Sequence, residues 1–161
     1  MTLADQSLFF DACRRGDLAE AEKIDNANPD IINIQDVKGF TPLIIAVYNN
    51  QSDITDFLLQ KGADVSAQDA SGNTALMGAC FKGYKQVADK LISAGADINQ
   101  RNYQGATALT FAATFGQLAI AEMLLQKGAD IGAKDVRGKS PIDHAVIQEN
   151  EAMVLMMEKY L

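Results

Sequence analysis

The sequence predicts an all-α repeat solenoid, a stack of similar helix-turn-helix units rather than one closed globule. The first observation is a short phrase that begins with Thr or Ser and reaches an Ala five residues later. It starts at residues 41, 74, 107 and 140, and a degenerate copy starts at Ser7. The second observation is a Gly-Ala-Asp triplet that begins at residues 62, 95 and 128. Both keep a period of 33 residues, which is typical of stacked repeats whose units bury their apolar faces against neighbours.

The opening Thr or Ser predicts the start of the first helix in each unit, because its side-chain oxygen can accept a backbone N–H of the first turn. Pro42 and Pro141 follow at the first helical position, where a missing N–H costs nothing. A methyl group five residues after the cap lets first helices of neighbouring units approach closely. That Ala is the same in all five copies: Ala12, Ala46, Ala79, Ala112 and Ala145. Gly at 16, 83 and 116 is expected to end the helix, with Asn50 and Glu149 as departures.

A second amphipathic helix is predicted from paired apolar residues such as Leu58-Leu59, and the Gly of the Gly-Ala-Asp triplet would close it in the left-handed conformation. Asp or Asn then opens a four-residue stretch that Gly closes, at 36–39, 69–72, 102–105 and 135–138, which is β-turn chemistry. We predict one domain over residues 1–161. Its five units cover approximately residues 1–35, 36–68, 69–101, 102–134 and 135–161.

These positions together resemble the ankyrin repeat family, whose pattern runs D-x-x-G-x-T-P-L-H-x-A-A-x-x-G, then a second helix ending L-L-x-x-G-A-D-V-N. The resemblance covers residues 5–161 and implies an ankyrin-like stack with short β-hairpin turns between the helix pairs. The family's His is missing, because its position is held by Ile44, Met77, Thr110 and Asp143. We therefore expect the hydrogen bonds of that His between units to be absent. The stack should rely more on apolar packing and be less rigid.

Composition and charge argue against several classes of protein. The net charge of -7 does not favour general nucleic-acid binding, which needs a basic footprint. No stretch approaches the roughly 18 apolar residues of a membrane span, and the N-terminus lacks a signal-peptide pattern. Cys13 and Cys80 share one repeat position two units apart, too far for a disulfide, and are interpreted as buried apolar residues in a reducing compartment. We therefore expect a cytoplasmic protein.

No group of residues predicts an enzyme, a metal site or a cofactor. His144 is the only histidine, and we interpret it as a partly buried structural residue of the last unit. One His and two distant Cys cannot form a zinc site. The aspartates of the Gly-Ala-Asp triplets could suggest a metal, but their recurrence indicates local hydrogen bonding within turns instead.

The resemblance implies a recognition surface on the concave side, formed by the turns and the exposed end of each first helix. The matching positions carry eight of the chain's 14 basic residues, none of its 21 acidic residues and five of its 11 aromatic residues. We predict a groove centred on Tyr48, Phe81, Lys82, Arg101 and Tyr103. The full set of predicted contact residues is Lys38, Phe40, Tyr48, Asn73, Phe81, Lys82, Arg101, Tyr103, Thr114 and Phe115. The alternative is that some of these aromatic residues simply pack on the turns.

The function predicted from these features is a non-catalytic protein-protein interaction module, an adaptor or scaffold. We expect it to bind an acidic segment of a protein partner as a monomer. An alternative is a dedicated inhibitor or regulatory subunit of one specific enzyme, similar to an antitoxin. Aromatic residues interleaved with cations also bind single-stranded nucleic acids, but the overall acidity and the aspartates at the turns disfavour that reading.

Overall fold

The computed structural model describes residues 1–161 and confirms an all-helical repeat stack of five helix pairs. The first helix of each pair is odd-numbered: α1 (Leu3–Arg15), α3 (Pro42–Tyr48), α5 (Ala75–Lys82), α7 (Ala108–Thr114) and α9 (Pro141–Ile147). The second helices are α2 (Leu18–Ala27), α4 (Ser52–Gln60), α6 (Lys85–Ser93), α8 (Leu118–Gln126) and α10 (Glu151–Glu158). A short 3-10 helix, Pro29–Asn33, follows α2. No residue lies in a β-strand, so the links between units are tight turns only.

Hydroxyl side chains cap all five first helices, and in four of them the capping residue is the predicted one. Thr41 Oγ1 accepts a hydrogen bond from Ile44 N at 3.1 Å. The same arrangement starts the next three first helices, where the capping residues are Thr74, Thr107 and Ser140. The residues at the family's His position in these units reach back to the backbone N–H of the cap; they are Met77, Thr110 and Asp143. This position therefore stabilises its own helix end.

The first helix of the first unit starts earlier than predicted. Thr2 is the N-cap of α1: its Oγ1 accepts from Asp5 N at 3.1 Å, and the Asp5 carboxylate accepts from Thr2 N at 2.8 Å. This reciprocal pair is a capping box, and no glycine or proline follows it to interrupt the helix. Ser7 consequently lies inside α1, so the prediction that it begins the helix is wrong.

The recurring alanine explains how the units pack. It is 0% exposed in all five units, and one cluster of 36 buried apolar residues runs through the whole stack. Successive first helices pack more closely than successive second helices. Because one side of the stack is tighter than the other, we infer that it curves toward the first helices, which form the concave side together with the turns.

Polar side chains also connect neighbouring units, although the family's His is missing. Gln35 Nε2 donates to Gly39 O at 3.0 Å and to Gln68 O, in the next unit, at 3.1 Å. Gln68 bonds to Arg101 O at 3.0 Å, and Arg101 Nη1 donates to Lys134 O at 2.6 Å. These donors share one repeat position just before the turn. Hydrogen bonds between units thus arise from other repeat positions, and a greater reliance on apolar packing stays a prediction.

A second set of polar contacts links successive second helices on the outer side. Lys61 Nζ lies 3.2 Å from Asp25 Oδ2. Lys90 Nζ lies 2.8 Å from Asp56 Oδ1, and Lys127 Nζ lies 3.1 Å from Asp89 Oδ1. Each ion pair joins one unit to the next, so these pairs connect the second helices, which pack less closely than the first helices.

Both cysteines are free, and both side chains are fully buried, as predicted. Burial raises the pKa of the Cys13 thiol and of the Cys80 thiol to about 12. Both thiols therefore remain protonated at neutral pH and behave as small apolar groups.

Candidate protein-binding surface

The turns on the concave side are held by the aspartates that open them. Asp36 Oδ1 accepts from Lys38 N at 2.8 Å and from Phe40 N at 2.9 Å, and Gly39 closes the turn with φ at +77°. The same bonds recur at Asp69, Asn102 and Asp135. Neighbouring turns are joined by a backbone bond, as from Ala70 N to Lys38 O at 3.0 Å. These turns form a continuous row from which side chains project at fixed spacing.

All ten predicted contact residues lie on or beside the turns, or on or just after a first helix. Six are exposed: Lys38, Phe81, Lys82, Arg101, Tyr103 and Phe115. Four are half-buried: Phe40, Tyr48, Asn73 and Thr114. Tyr103, at the tip of the turn of the fourth unit, has the highest exposed fraction of the aromatic residues, 67%. Whether any of the ten contacts a partner remains a prediction.

Three phenylalanine rings meet in the middle of this surface. The centroids of Phe81 and Phe115 are 4.6 Å apart with an edge-to-face angle of 87°. Phe111 stacks on Phe115 at 6.3 Å and 14°. Phe111 is absent from the predicted set. Its repeat position is also that of Ile45, Gly78 and His144, and this alignment along the first helices was the available signal.

The aromatic residues of the second unit pack more than they protrude. The rings of Phe40 and Tyr48 are 6.5 Å apart and tilted by 47°, and Lys82 Nζ lies 6.0 Å from the Tyr48 ring centroid. Burial raises the pKa of Tyr48, and the nearby Asp69 charge raises it further. Tyr48 therefore stays a neutral phenol that supports Lys82, which is consistent with the alternative that some aromatic residues pack on the turns.

Several predicted polar residues are engaged within the protein. Asn73 Oδ1 accepts from Asn102 Nδ2 at 2.9 Å, and Thr114 Oγ1 donates to Thr110 O at 2.7 Å. Arg101 uses Nη1 for the next turn and keeps its other guanidinium N–H groups for another acceptor. Asn73 and Thr114 therefore shape the surface, whereas Arg101 can also bind a carboxylate.

A cleft of about 340 Å³ opens on this surface between the fourth and fifth units. We call it the unit 4–5 cleft. First-helix residues Thr110, Phe111, Thr114 and Phe115 line it on one side. The remaining lining residues are Asn102, Gln104, Ala106, Asp135, Val136, Arg137 and His144. The sequence did not indicate this cleft.

Asp135 and His144 form a hydrogen-bonded pair within the cleft. Asp135 Oδ2 lies 2.7 Å from His144 Nε2, and the side chains are 10% and 20% exposed. Burial raises the pKa of Asp135, but hydrogen bonds from Lys139 N, His144 and Arg137 N outweigh burial and bring the pKa below its usual value. The carboxylate is thus ionised at neutral pH and acts as the acceptor for the His144 ring. His144 is half-buried, as predicted, and its partner is now identified.

The acidic and basic side chains of this surface differ in whether they have partners within the protein. The turn aspartates are occupied by backbone N–H groups, whereas the side chains of Lys38, Lys82 and Arg137 are exposed and form no salt bridge. A carboxylate brought to this surface would meet cations beside aromatic rings. Aromatic residues and arginine dominate the energetics of many protein interfaces, so this arrangement suits a protein ligand.

Comparison with known families adds independent evidence. A family model described as Ankyrin repeats (3 copies) matches residues 9–102 and residues 68–135. The two matches overlap and together span well over half of the chain. They include the second, third and fourth helix pairs, most of the first pair, and most of the residues that form the concave surface. Separately, none of the ten helices is both long and apolar enough to cross a membrane.

Proposed function

This chain belongs to the ankyrin repeat family, whose members are in general non-catalytic protein-interaction modules, and on that premise we propose that it captures an acidic segment of a protein partner. The binding site is the concave surface around Phe81, Lys82, Arg101, Tyr103 and Phe115. The observation that carries this proposal is the row of exposed rings flanked by unpaired cations, next to aspartates whose carboxylates are already hydrogen-bonded to the turns.

The chemistry of the surface supports an acidic ligand over a basic or purely apolar one. Lys38, Lys82 and Arg101 present ammonium and guanidinium groups within one row of turns and helix ends. Complementary charge raises the association rate and selects against cationic partners. The rings between these cations supply the apolar area from which most of the affinity would come.

The proposal is tested by affinity capture from the native cell, followed by mass spectrometry. The wild-type chain is compared with the double variant Phe81→Ala/Tyr103→Ala. The matched control removes two exposed apolar side chains from second helices, Leu118→Ala/Leu155→Ala. We expect a protein that the wild type and the control retain and the Phe81/Tyr103 variant loses. Equal retention by all three chains would refute the concave site, and the absence of any specific protein would refute the interaction function.

The same experiment separates an adaptor from a dedicated inhibitor. Several partners, or one partner whose activity is unchanged, support an adaptor or scaffold. A single enzyme, bound in equal amounts and altered in activity, would replace that assignment with the inhibitor or regulatory subunit. Single-stranded oligonucleotides that bind with a steep salt dependence would contradict the protein-ligand assignment.

We also propose that the chain acts as a monomer in the cytoplasm. The support for the compartment is chemical: Cys13 and Cys80 are buried, unpaired and protonated, so no disulfide contributes to the fold. Free thiols are the usual state of cysteine in reducing compartments. Sedimentation of the purified chain at several concentrations tests the oligomeric state, and a mass that rises with concentration would contradict the monomer.

A further inference from the structure

The unit 4–5 cleft exists because two repeat positions carry small residues. Ala106 and Thr114 occupy the positions that hold Phe40 and Tyr48 in the second unit. In that unit the two rings lie 6.5 Å apart and Tyr48 extends over Gly78. In the fourth unit the corresponding space is empty and forms the cleft of about 340 Å³. The second unit thus places two rings at these positions, whereas the fourth unit leaves the space open.

Three of the eleven residues that line the cleft carry rings, and polar side chains form most of the rest. Phe111 in α7 and Phe115 just after it present stacked rings, the His144 ring lies on the neighbouring helix α9, and Val136 adds an apolar side chain from the turn of the fifth unit. Aromatic rings pair best edge-to-face or in offset stacks, which favours a planar side chain as the occupant. The volume of the cleft is at the lower end of ordinary ligand pockets, which suits one side chain better than a large cofactor.

The polar groups of the cleft select the sequence around that side chain. Asp135 already accepts hydrogen bonds from the backbone of Arg137 and Lys139 and from His144, so most of the acceptor capacity of its carboxylate is used within the protein. Arg137 lines the cleft, is exposed and forms no ion pair. A carboxylate next to the inserted ring would meet this guanidinium, whose planar N–H fork matches carboxylate geometry.

We propose that the unit 4–5 cleft receives an aromatic side chain of the partner's acidic segment, and that a neighbouring Asp or Glu of the segment pairs with Arg137. This inference rests on the proposed function and adds the anchor residue that the partner must carry. The Phe81–Phe115 pair borders the cleft, so the anchor would join a continuous aromatic row.

A phage-displayed library of random 12-residue peptides, panned on the full-length chain, tests the anchor directly. Enriched peptides are then synthesised and titrated by fluorescence polarisation against three variants. Ala106→Phe fills the cleft with the ring that the second unit carries at the same position, so the fold should tolerate it. Ala119→Phe is the matched control: the same change at an exposed position of the second helix α8, away from the concave surface. Arg137→Gln removes the cation.

The expected result is enrichment of peptides with an aromatic residue within two positions of Asp or Glu. Ala106→Phe should weaken their binding at least about tenfold, Arg137→Gln several-fold and Ala119→Phe not measurably. Equal melting temperatures of Ala106→Phe and wild type would show that the cleft, not the fold, was altered. If Ala106→Phe melts lower, Thr114→Phe serves as a second cleft-filling variant.

Failure of this inference differs from failure of the proposed function. Peptides that bind Ala106→Phe normally but are lost on Phe81→Ala/Tyr103→Ala would overturn the anchor and leave the concave site intact. Peptides that are insensitive to both variants would overturn both. Enrichment of sequences without the aromatic-acidic pair, or no enrichment at all, would also overturn the anchor.

Discussion

The ring of Tyr48 lies in the space that the missing side chain of Gly78 leaves open on the next first helix. A Cβ built on Gly78 would be 2.9 Å from Tyr48 Cε2, closer than carbon atoms normally approach. Gly78 has ordinary helical geometry and is followed by Ala79, so no backbone requirement explains a glycine there. The glycine accommodates a side chain 30 positions earlier in the chain, and Tyr48 in turn supports Lys82.

Gly78→Ala tests this relationship. Alanine favours an α-helix over glycine by about 0.5–1 kcal/mol, but the added methyl must displace Tyr48. We expect Gly78→Ala to gain less stability than this, and the full gain to appear in a Tyr48→Ala background. Urea denaturation of the four chains of this double-mutant cycle measures the coupling. Purely additive effects would show that Tyr48 does not constrain residue 78.

Acidification should destabilise the fifth unit through Asp135. Its pKa is lowered in the folded chain from the ordinary value of 3.8, so the carboxylate contributes stability that is present above pH 3.8 and lost as pH falls through the folded pKa. Asp135→Asn copies the residue that the fourth unit carries at this position, Asn102. We expect its melting temperature to be lower than that of wild type at pH 7 and to approach it only as pH falls below 3.8 and through the lowered pKa of Asp135.

The matched control for that series is Asp36→Asn, the same change in a unit with Ile45 in place of His144. Thermal melts from pH 7 to pH 3 should show a smaller difference from wild type than for Asp135→Asn. If the melting temperatures of both variants change with pH in the same way as that of the wild type, the Asp135–His144 pair makes no pH-dependent contribution to stability.

The ion pairs between second helices should differ in their contribution to the free energy of unfolding, because their carboxylates differ in burial. Asp25 is 6% exposed, whereas Asp89 is 53% exposed. Lys61→Met removes the partner of a buried carboxylate, and we expect a loss of about 1–3 kcal/mol in the free energy of unfolding. Lys127→Met removes an exposed pair and should cost no more than about 1 kcal/mol. Urea denaturation compares the two, and an equal cost would contradict the ranking.

The thiols should be inert while the chain is folded. A pKa of about 12 leaves only about one thiolate in ten thousand at pH 8, and both sulfur atoms are shielded from solvent. We expect neither Cys13 nor Cys80 to react with 5,5'-dithiobis(2-nitrobenzoic acid) in native buffer, and both to react in guanidinium chloride. Rapid reaction of either thiol in the native chain would show that its unit opens.

The features that the sequence predicted well depend on contacts within a few residues. Thr41 caps a helix through the third residue after it, and Asp36 shapes a turn that ends at Phe40. Such bonds require particular residue types at fixed short spacings, which a sequence displays directly. Ser7 shows the limit, because Thr2 and Asp5 form a stronger competing start a few residues earlier.

The features that the sequence did not predict depend on side-chain size in neighbouring units. The cleft follows from small residues at 106 and 114, and the hydrogen bonds between units come from Gln35, Gln68 and Arg101. Each requires comparison of the same position across two units and knowledge of which way a side chain turns. Repeat alignment identifies such positions but does not give their rotamers.

The most direct test of the concave binding site is the dissociation constant of the captured partner, measured by isothermal titration. Phe81→Ala/Tyr103→Ala should raise it at least about tenfold, equivalent to roughly 1.4 kcal/mol, and Leu118→Ala/Leu155→Ala should leave it unchanged. Loss of the Phe81–Phe115 contact should lower the free energy of unfolding by about 0.5–1.5 kcal/mol in addition to the lost burial of the Phe81 ring, and a thermal melt of the variant checks that it is folded. An unchanged dissociation constant for the Phe81/Tyr103 variant would contradict the concave site.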